Sequence, residues 1–209
     1  YYYKPEIIVR AVDFWTDQKK IKNISFFDDA LLTNPDLPSI LRSIAGLKRK
    51  LSLHSSNGLH ARYLTEEIAH LLKEAGFETI YLSLETIDEE RQKITGNKVR
   101  TKEFSSAVET LFKIGFKPEQ IHVYLMVGLP GQTEEEVFDS IKFCKKSRIK
   151  INLTEYSPIP DTEEYLKTGL KNDIDPLYHN NTFFTWYYPE SKSEFLKKIK
   201  KLLGTNDVA

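Results

Sequence analysis

The chain has 209 residues, in which 30 lysines and arginines balance 30 aspartates and glutamates, and 40% of its residues are hydrophobic. This length predicts one globular domain with a real core, and the zero formal net charge argues against a polybasic nucleic-acid or membrane binder. No apolar run reaches the roughly 20 residues that span a bilayer and no secretory signal opens the chain. We therefore expect no membrane partner, no nucleic-acid partner and a cytoplasmic location.

Short apolar runs alternate along the chain with longer stripes of helical period, which is the pattern of successive βαβ units. Strands are predicted at 24–28, 51–54, 80–85, 121–127 and 151–156. The intervals between them suit a strand followed by a crossover helix. The longest interval, between the third and fourth strands, predicts an extra short helix at 88–94.

Helix signals fill the intervals. Pro5 suits the first turn of the first helix, and Thr133 with Glu136 predicts a capping box at the start of another. Gly46 and Gly76 are expected to end helices in the left-handed conformation, and a further helix is expected to end near Gly115. These elements predict a parallel sheet covered by helices, either curled into a barrel or open.

The regular alternation lapses after residue 165. We interpret 1–165 as the core and 166–209 as a C-terminal extension packed on it. A terminal helix is expected to begin at Ser191, where Glu194 completes a second capping box. The aromatic stretch at 182–188 is expected to pack against the core.

Ligands of parallel α/β folds bind at the carboxyl ends of the strands. Each predicted strand ends there in polar or glycine-rich residues, among them Asp28, Asp29, Asn57, Ser83, Glu85, Gly128 and Ser157. Structural alternatives stand beside the functional ones, because an aspartate pair also caps helices and the run 128–131 also makes a tight turn. Glu85 ends an apolar strand and needs a partner, either a ligand or a basic side chain.

Cysteine and methionine occur once each, as Cys144 and Met126. One thiol excludes an intramolecular disulfide and any site built from several thiolates of this chain alone, so no metal ligands are predicted in it. Cys144 lies on an apolar helical stripe and is interpreted as inert core. Because residue 1 is a tyrosine and the methionine is internal, we interpret the sequence as part of a longer polypeptide.

Five segments, in order, resemble the radical S-adenosylmethionine (SAM) family: ISFFDDALLTN (24–34), HSSNGLHAR (54–62), YLSLET (81–86), VYLMVGLPGQTEEEV (123–137) and YSPIPDTEEY (156–165). The tail at 173–186 resembles the branch that often carries a cobalamin-binding domain upstream. The resemblance implies a partial TIM barrel of the (βα)6 type. It also implies SAM and a 4Fe-4S iron–sulfur cluster as cofactors, and reductive cleavage of SAM to a 5′-deoxyadenosyl radical.

The family's CxxxCxxC cysteines are absent from this sequence. The resemblance therefore implies that the first strand and the cluster loop lie upstream of Tyr1, and that the 209 residues alone are inactive. It also implies an electron donor such as flavodoxin or ferredoxin, and methyl transfer as the outcome if cobalamin is a cofactor. A missing strand would leave an open sheet edge that favours association.

The family's cofactor site can be carried over by position. Asp28 and Asp29 correspond to the turn that meets the amino group of the methionine moiety. Ser83 and Glu85 correspond to the strand end that meets the ribose or the methionyl part. The adenine would lie along Val127, Gly128 and Leu129, bracketed by Ser157, Pro158 and Ile159. Asn57 and Arg62 would face the substrate.

Two other functions stay open at this point. One is a barrel that has lost the cluster and binds a small ligand without catalysis. The other is a metal-independent aldolase or isomerase, which ranks last because no lysine ends a predicted strand.

Overall fold

The computed structural model describes residues 2–28, 30–169 and 192–204. Strands and helices alternate along them as predicted. The strands are β1 (Asn23–Phe26), β2 (Ser52–Ser55), β3 (Leu59–His60), β4 (Phe77–Glu85), β5 (Ile121–Val127) and β6 (Lys150–Glu155). The helices are α1 (Pro5–Asp17), α2 (Leu37–Gly46), α3 (Glu66–Ala75), α4 (Glu89–Ile94), α5 (Thr101–Ile114), α6 (Glu134–Lys146), α7 (Glu163–Lys167) and α8 (Lys192–Leu203).

The strands form one sheet in the order β1-β2-β4-β5-β6, and β3 also pairs with β4. All the pairings are parallel. The parallel α/β fold predicted from the sequence is confirmed. Within the described residues the sheet does not close on itself, so β1 and β6 form its two edges, as in a partial barrel.

Side-chain alternation separates the two faces of the sheet. On β5, Ile121, Val123 and Leu125 are fully buried and belong to the hydrophobic core that the helices complete. The alternate residues, His122 and Tyr124 among them, are only half-buried. We call the half-buried face the inner face, and it carries polar and aromatic side chains.

Local chemistry sets most helix ends as expected. Pro5 opens α1, and Gly76 and Gly115 end α3 and α5 with φ of 96° and 93°. The capping box of α6 forms as predicted, because Thr133 Oγ1 accepts from the Glu136 N–H at 3.2 Å and Glu136 Oε2 accepts from the Thr133 N–H at 2.8 Å. The prediction for Gly46 is wrong, since it is the last residue of α2 and its φ is not positive.

The long strand β4 pairs with two short strands in succession. β2 meets its beginning, where His54 is opposite Thr79, and β3 meets its end, where His60 is opposite Ser83. Between them the chain leaves the ladder at 56–58. The side chain of Ser55 fills part of the break, because its Oγ accepts a hydrogen bond from the Tyr81 N–H at 2.9 Å. The strand β3 was not predicted, since two residues carry no periodicity.

Helix α8 packs on α6. The rings of Phe195 and Phe138 lie 5.8 Å apart, and Lys198 Nζ lies 2.7 Å from Glu134 Oε2. The expected start of this helix at Ser191 and the aromatic stretch at 182–188 lie outside the described residues, and the division at 165 stays a prediction. No helix in the described part of the chain combines the length and the hydropathy that a membrane span requires.

Candidate functional site

A cavity of about 380 Å³ opens on the inner face, at the carboxyl ends of β4 and β5. Its volume is in the range of small-molecule sites. The cavity is lined by Ser56, Asn57, Gly58, Ser83, Glu85, Lys98, Tyr124, Leu125, Met126 and Thr154. Three residues predicted from the sequence, Asn57, Ser83 and Glu85, therefore meet at one place. We call it the strand-end cavity.

Asn57 reaches the cavity because the chain leaves the sheet between β2 and β3. The half-buried Asn57 lies at this break, next to Gly58. Gly58 approaches β4 so closely that a Cβ atom there would collide with Ser83 Oγ. A residue without a side chain is therefore required, and it brings the Asn57 loop against the end of β4.

Glu85 ends β4 in an unusual backbone conformation. Its φ is 66°, and the Thr86 N–H donates to the Leu84 carbonyl at 2.8 Å, so Glu85 is the central residue of a γ-turn. A non-glycine residue held in such a region costs about 1–3 kcal/mol, and such strain clusters at functional sites. The carboxylate pairs with Lys98, whose Nζ lies 3.5 Å from Glu85 Oε1. The partner expected for this residue is therefore a basic side chain.

The turn after β5 is held by a buried glutamine. Gln132 Oε1 accepts from the backbone N–H groups of Gly128 at 2.8 Å and Leu129 at 3.3 Å, and Gln132 Nε2 donates to the Met126 carbonyl at 3.0 Å. Val127 and Leu129 are buried beside the strand-end cavity and are not among its lining residues. The turn is thus fixed before any ligand binds.

A partly buried ion pair fixes the same turn from the side of α4. Arg91 Nε lies 2.8 Å from Glu136 Oε1, Arg91 Nη2 lies 3.0 Å from Glu136 Oε2, and Arg91 Nη1 donates to the Pro130 carbonyl at 3.0 Å. The two side chains are 15% and 18% exposed. Burial raises the pKa of Glu136, but the hydrogen bonds and charge of Arg91, together with the Thr133 N–H, outweigh it, so the pKa lies below its ordinary value.

Other residues predicted for the site lie elsewhere. Asp28 Oδ1 accepts from the Ala30 N–H at 2.8 Å in a local turn and does not cap a helix, and Asp29 is outside the described residues. Arg62 donates to Glu103 Oε1 at 3.0 Å and to the Asn97 carbonyl at 2.7 Å, and it is not among the residues that line the strand-end cavity.

The loop after β6 also lies outside the cavity lining. Ser157 is half-buried, Pro158 is buried and Ile159 is 63% exposed. The structure therefore brings Asn57, Ser83 and Glu85 together, and the other described residues that were predicted for the site are not among the cavity lining.

The lining residues that sequence reasoning missed include Lys98, Tyr124, Met126 and Thr154. The run from His122 to Met126 does contain a signal, because polar or aromatic residues alternate with aliphatic ones in a strand whose aliphatic face is buried. Lys98 carries no such signal, since it lies on the loop between α4 and α5.

The described residues do not fit an iron–sulfur cluster. No group of three or more histidine, cysteine, aspartate or glutamate side chains among them could hold a metal ion. Cys144, the one cysteine of the sequence, is fully buried on α6, and burial raises the pKa of its thiol to about 12. A cluster needs several thiolates, so this chain alone does not ligate one.

An open parallel sheet with a ligand-sized cavity at the carboxyl ends of its strands defines the class as a partial-barrel α/β domain. The chain belongs to the radical SAM superfamily, since the model of that family matches residues 1–144. The family predicted from the sequence motifs is confirmed.

Among curated relatives, the chain is 31% identical over 132 residues to a GTP 3′,8-cyclase of Microcystis aeruginosa, a match that spans 61% of this chain and 38% of the relative. It is 26% identical over 139 residues to a GTP 3′,8-cyclase of Listeria monocytogenes, spanning 66% of this chain and 40% of the relative. The chain thus matches about two fifths of the length of these relatives.

Two solved structures share the fold. The radical SAM methyltransferase TsrM from Kitasatospora setae, with tryptophan substrate and a SAM analogue bound, superposes with a TM-score of 0.67 at 16% identity, over 79% of this chain and 32% of that one. Coproporphyrinogen III oxidase HemN from Escherichia coli superposes with a TM-score of 0.65 at 15% identity, over 96% of this chain and 45% of that one. At these identities the likeness concerns the fold alone.

Proposed function

We propose that this chain is the core of a radical SAM enzyme that binds SAM at the strand-end cavity. One observation carries the proposal: Asn57, Ser83 and Glu85 meet in a cavity at the carboxyl ends of the strands, in a chain that belongs to the superfamily. When SAM is bound together with a reduced 4Fe-4S cluster, it supplies a 5′-deoxyadenosyl radical.

The charges at the cavity suit the methionine moiety of SAM. That moiety carries an ammonium and a carboxylate on the same carbon atom. Glu85 and Lys98 offer one charge of each sign at 3.5 Å. In our proposal the Glu85 carboxylate binds the ammonium of SAM, and the Lys98 ammonium binds the carboxylate of SAM. The Ser83 hydroxyl forms a hydrogen bond with the ribose, as donor or as acceptor.

The turn at 127–129 is proposed to lie along the adenine. It contributes the edge of a buried apolar surface. Gln132 and the Arg91–Glu136 pair hold its shape, so little ordering would be needed when the ligand binds. The loop at 157–159 and the turn at 28–29 stay predictions for the same cofactor.

The cluster thiolates are proposed to come from outside these 209 residues, because the sequence holds one cysteine. A groove of about 490 Å³ between α1 and the open edge of β1 supports this. It is lined by apolar side chains, among them Ile7 and Trp15, and Trp15 is 50% exposed. We propose that a further parallel strand pairs with β1 in this groove and positions the thiolates at the same end of the sheet.

The electron donor, the cobalamin dependence and the compartment stay predictions. GTP is the substrate in the names of the curated relatives, and TsrM binds cobalamin in a structure to which this chain is 17% identical. Neither fact assigns a substrate or a methyl transfer here.

The proposal is tested by equilibrium dialysis of SAM against the protein at its full natural length, with the cluster reconstituted anaerobically. We expect Glu85→Gln to weaken SAM binding at least about tenfold, since a charge-assisted contact is lost. Glu67→Gln is the matched control, because Glu67 is also paired with one basic side chain, Arg42, but on the exposed surface. Equal affinity of Glu85→Gln and the wild-type protein would contradict the assignment of the cavity.

A further inference from the structure

The inner face of the sheet carries a ladder of rings beneath the strand-end cavity. Tyr124 stacks on Tyr81 with the ring centroids 5.0 Å apart, and Tyr81 contacts the His122 ring at 4.4 Å. Tyr124 lines the cavity, so the ladder begins at its floor. The function proposed above places the cofactor on Ser83, Glu85 and Lys98, which we call the upper wall of the cavity, and gives this floor no role.

Hydrogen bonds fix the rings at both ends of the ladder. Tyr124 Oη donates to the Ser56 carbonyl at 3.0 Å, on the loop after β2. His122 Nδ1 lies 3.0 Å from Asn152 Oδ1 on β6, so an N–H of the imidazole donates to the amide oxygen. The ladder therefore joins β2, β4, β5 and β6 into one preformed surface.

The surface is uncharged. Burial, together with the charge of Lys150, lowers the pKa of His122 below its ordinary value despite the Asn152 hydrogen bond, and the lower pKa favours the neutral imidazole. Burial and the neighbouring Tyr81 raise the pKa of the Tyr124 phenol. Among the described residues that line the cavity, the charged side chains are Glu85 and Lys98, which pair with each other.

We infer that the floor of the strand-end cavity is a substrate subsite for an uncharged heteroaromatic ring, packed on Tyr124 and Met126 and hydrogen-bonded by neutral groups such as Thr154. The ring and thioether surfaces supply the apolar contact that planar rings prefer. A phosphate chain would have to compete with Glu85 for Lys98, the one cation on the described lining, and burying its several charges there would be costly. The inference rests on the proposed function, since it names the substrate class of the same site.

Ligand-observed NMR and isothermal titration test this inference on the protein at its full natural length. The probes are indole, adenine, guanosine and GTP, of which the last two share a base and a ribose and differ in the phosphates. We expect at least one of the three uncharged rings to bind, and GTP to bind about tenfold or more weakly than guanosine. This comparison uses the wild-type protein and needs no variant.

A variant pair locates the binding. Tyr124→Leu removes the ring and is expected to weaken binding of the retained probe at least about tenfold, whereas Tyr124→Phe keeps the ring and the affinity. Binding of GTP as tight as guanosine, no binding of any uncharged ring, or binding that Tyr124→Leu leaves unchanged would each overturn the inference.

These titrations need neither cluster nor reductant, so the two proposals can fail separately. Ring binding without SAM binding would refute the proposed function of the upper wall. SAM binding without ring binding would refute the subsite.

Discussion

Replacing Arg91 with alanine breaks the ion pair that fixes the turn after β5. Removal of one partner from a buried ion pair costs about 3–5 kcal/mol, while an exposed pair contributes about 0–1 kcal/mol. At 15% and 18% exposure the Arg91–Glu136 pair lies near the buried limit, and the Pro130 carbonyl also loses its donor. We expect Arg91→Ala to lower the free energy of unfolding by about 2–3 kcal/mol.

Urea denaturation at pH 7 measures this loss, because a lower free energy of unfolding moves the midpoint of the unfolding curve to lower urea while the dependence of the free energy on urea keeps its slope. Arg42→Ala is the matched control, because Arg42 pairs with Glu67 and both side chains are more than half exposed. It should cost less than about 1 kcal/mol. Arg91→Lys should recover part of the loss, since an ammonium cannot make the bidentate contact. A loss for Arg91→Ala no larger than that for Arg42→Ala would refute this account of the turn.

Three further predictions follow from the same geometry. Glycine adopts the φ of 66° found at Glu85 without strain, so the free energy of unfolding of Glu85→Gly should stay within about 1 kcal/mol of the wild-type value, while SAM binding falls as in Glu85→Gln. A large destabilisation in thermal unfolding would argue against backbone strain at this turn. Gln132→Ala leaves two N–H groups and one carbonyl of the buried turn without their side-chain partner, so the free energy of unfolding in urea titrations should fall by about 2–4 kcal/mol. A fall below about 0.5 kcal/mol, which is typical of a surface substitution, would contradict the role of Gln132 in the turn. The pKa of Glu136 is lowered on folding, so the stabilisation that its carboxylate contributes is present above about pH 4.5 and is lost as the pH falls through the pKa of the folded protein. The difference in urea midpoint between the wild-type protein and Glu136→Gln should therefore narrow from pH 7 to pH 3. A difference that does not change with pH would contradict this role of Glu136.

Strand positions could be predicted because they depend on local patterns. The predicted strand 121–127 matches β5 at both ends, and 80–85 falls within β4. The meeting of Asn57, Ser83 and Glu85 followed from topology, since parallel strands place their carboxyl ends at one edge. These features need only periodicity and chain order.

Side-chain partners could not be predicted in the same way. Arg91 forms an ion pair with Glu136 on α6, and Arg62 forms one with Glu103 on α5, although the partners of each pair are far apart in sequence. Nothing in local periodicity specifies such pairs, because they depend on how helices pack around the sheet. The expectation that Arg62 faces the substrate stays a prediction.

The ring ladder is an intermediate case. The alternation of His122 and Tyr124 with buried aliphatic residues is visible in the sequence, and it indicates a second face that is not ordinary core. Its contact with Tyr81 depends on the register between β4 and β5, which the sequence does not fix.

Anaerobic assay of 5′-deoxyadenosine tests the central proposal most directly. The protein at its full natural length is reconstituted with iron and sulfide, then incubated with SAM and a reductant, with Glu85→Gln and a no-protein sample as controls. We predict release of 5′-deoxyadenosine above the no-protein level, and a reduced release from Glu85→Gln. Full-length protein that shows no cluster absorbance after reconstitution, binds SAM and releases no 5′-deoxyadenosine would contradict the proposal and favour a barrel that binds a small ligand without cleaving it.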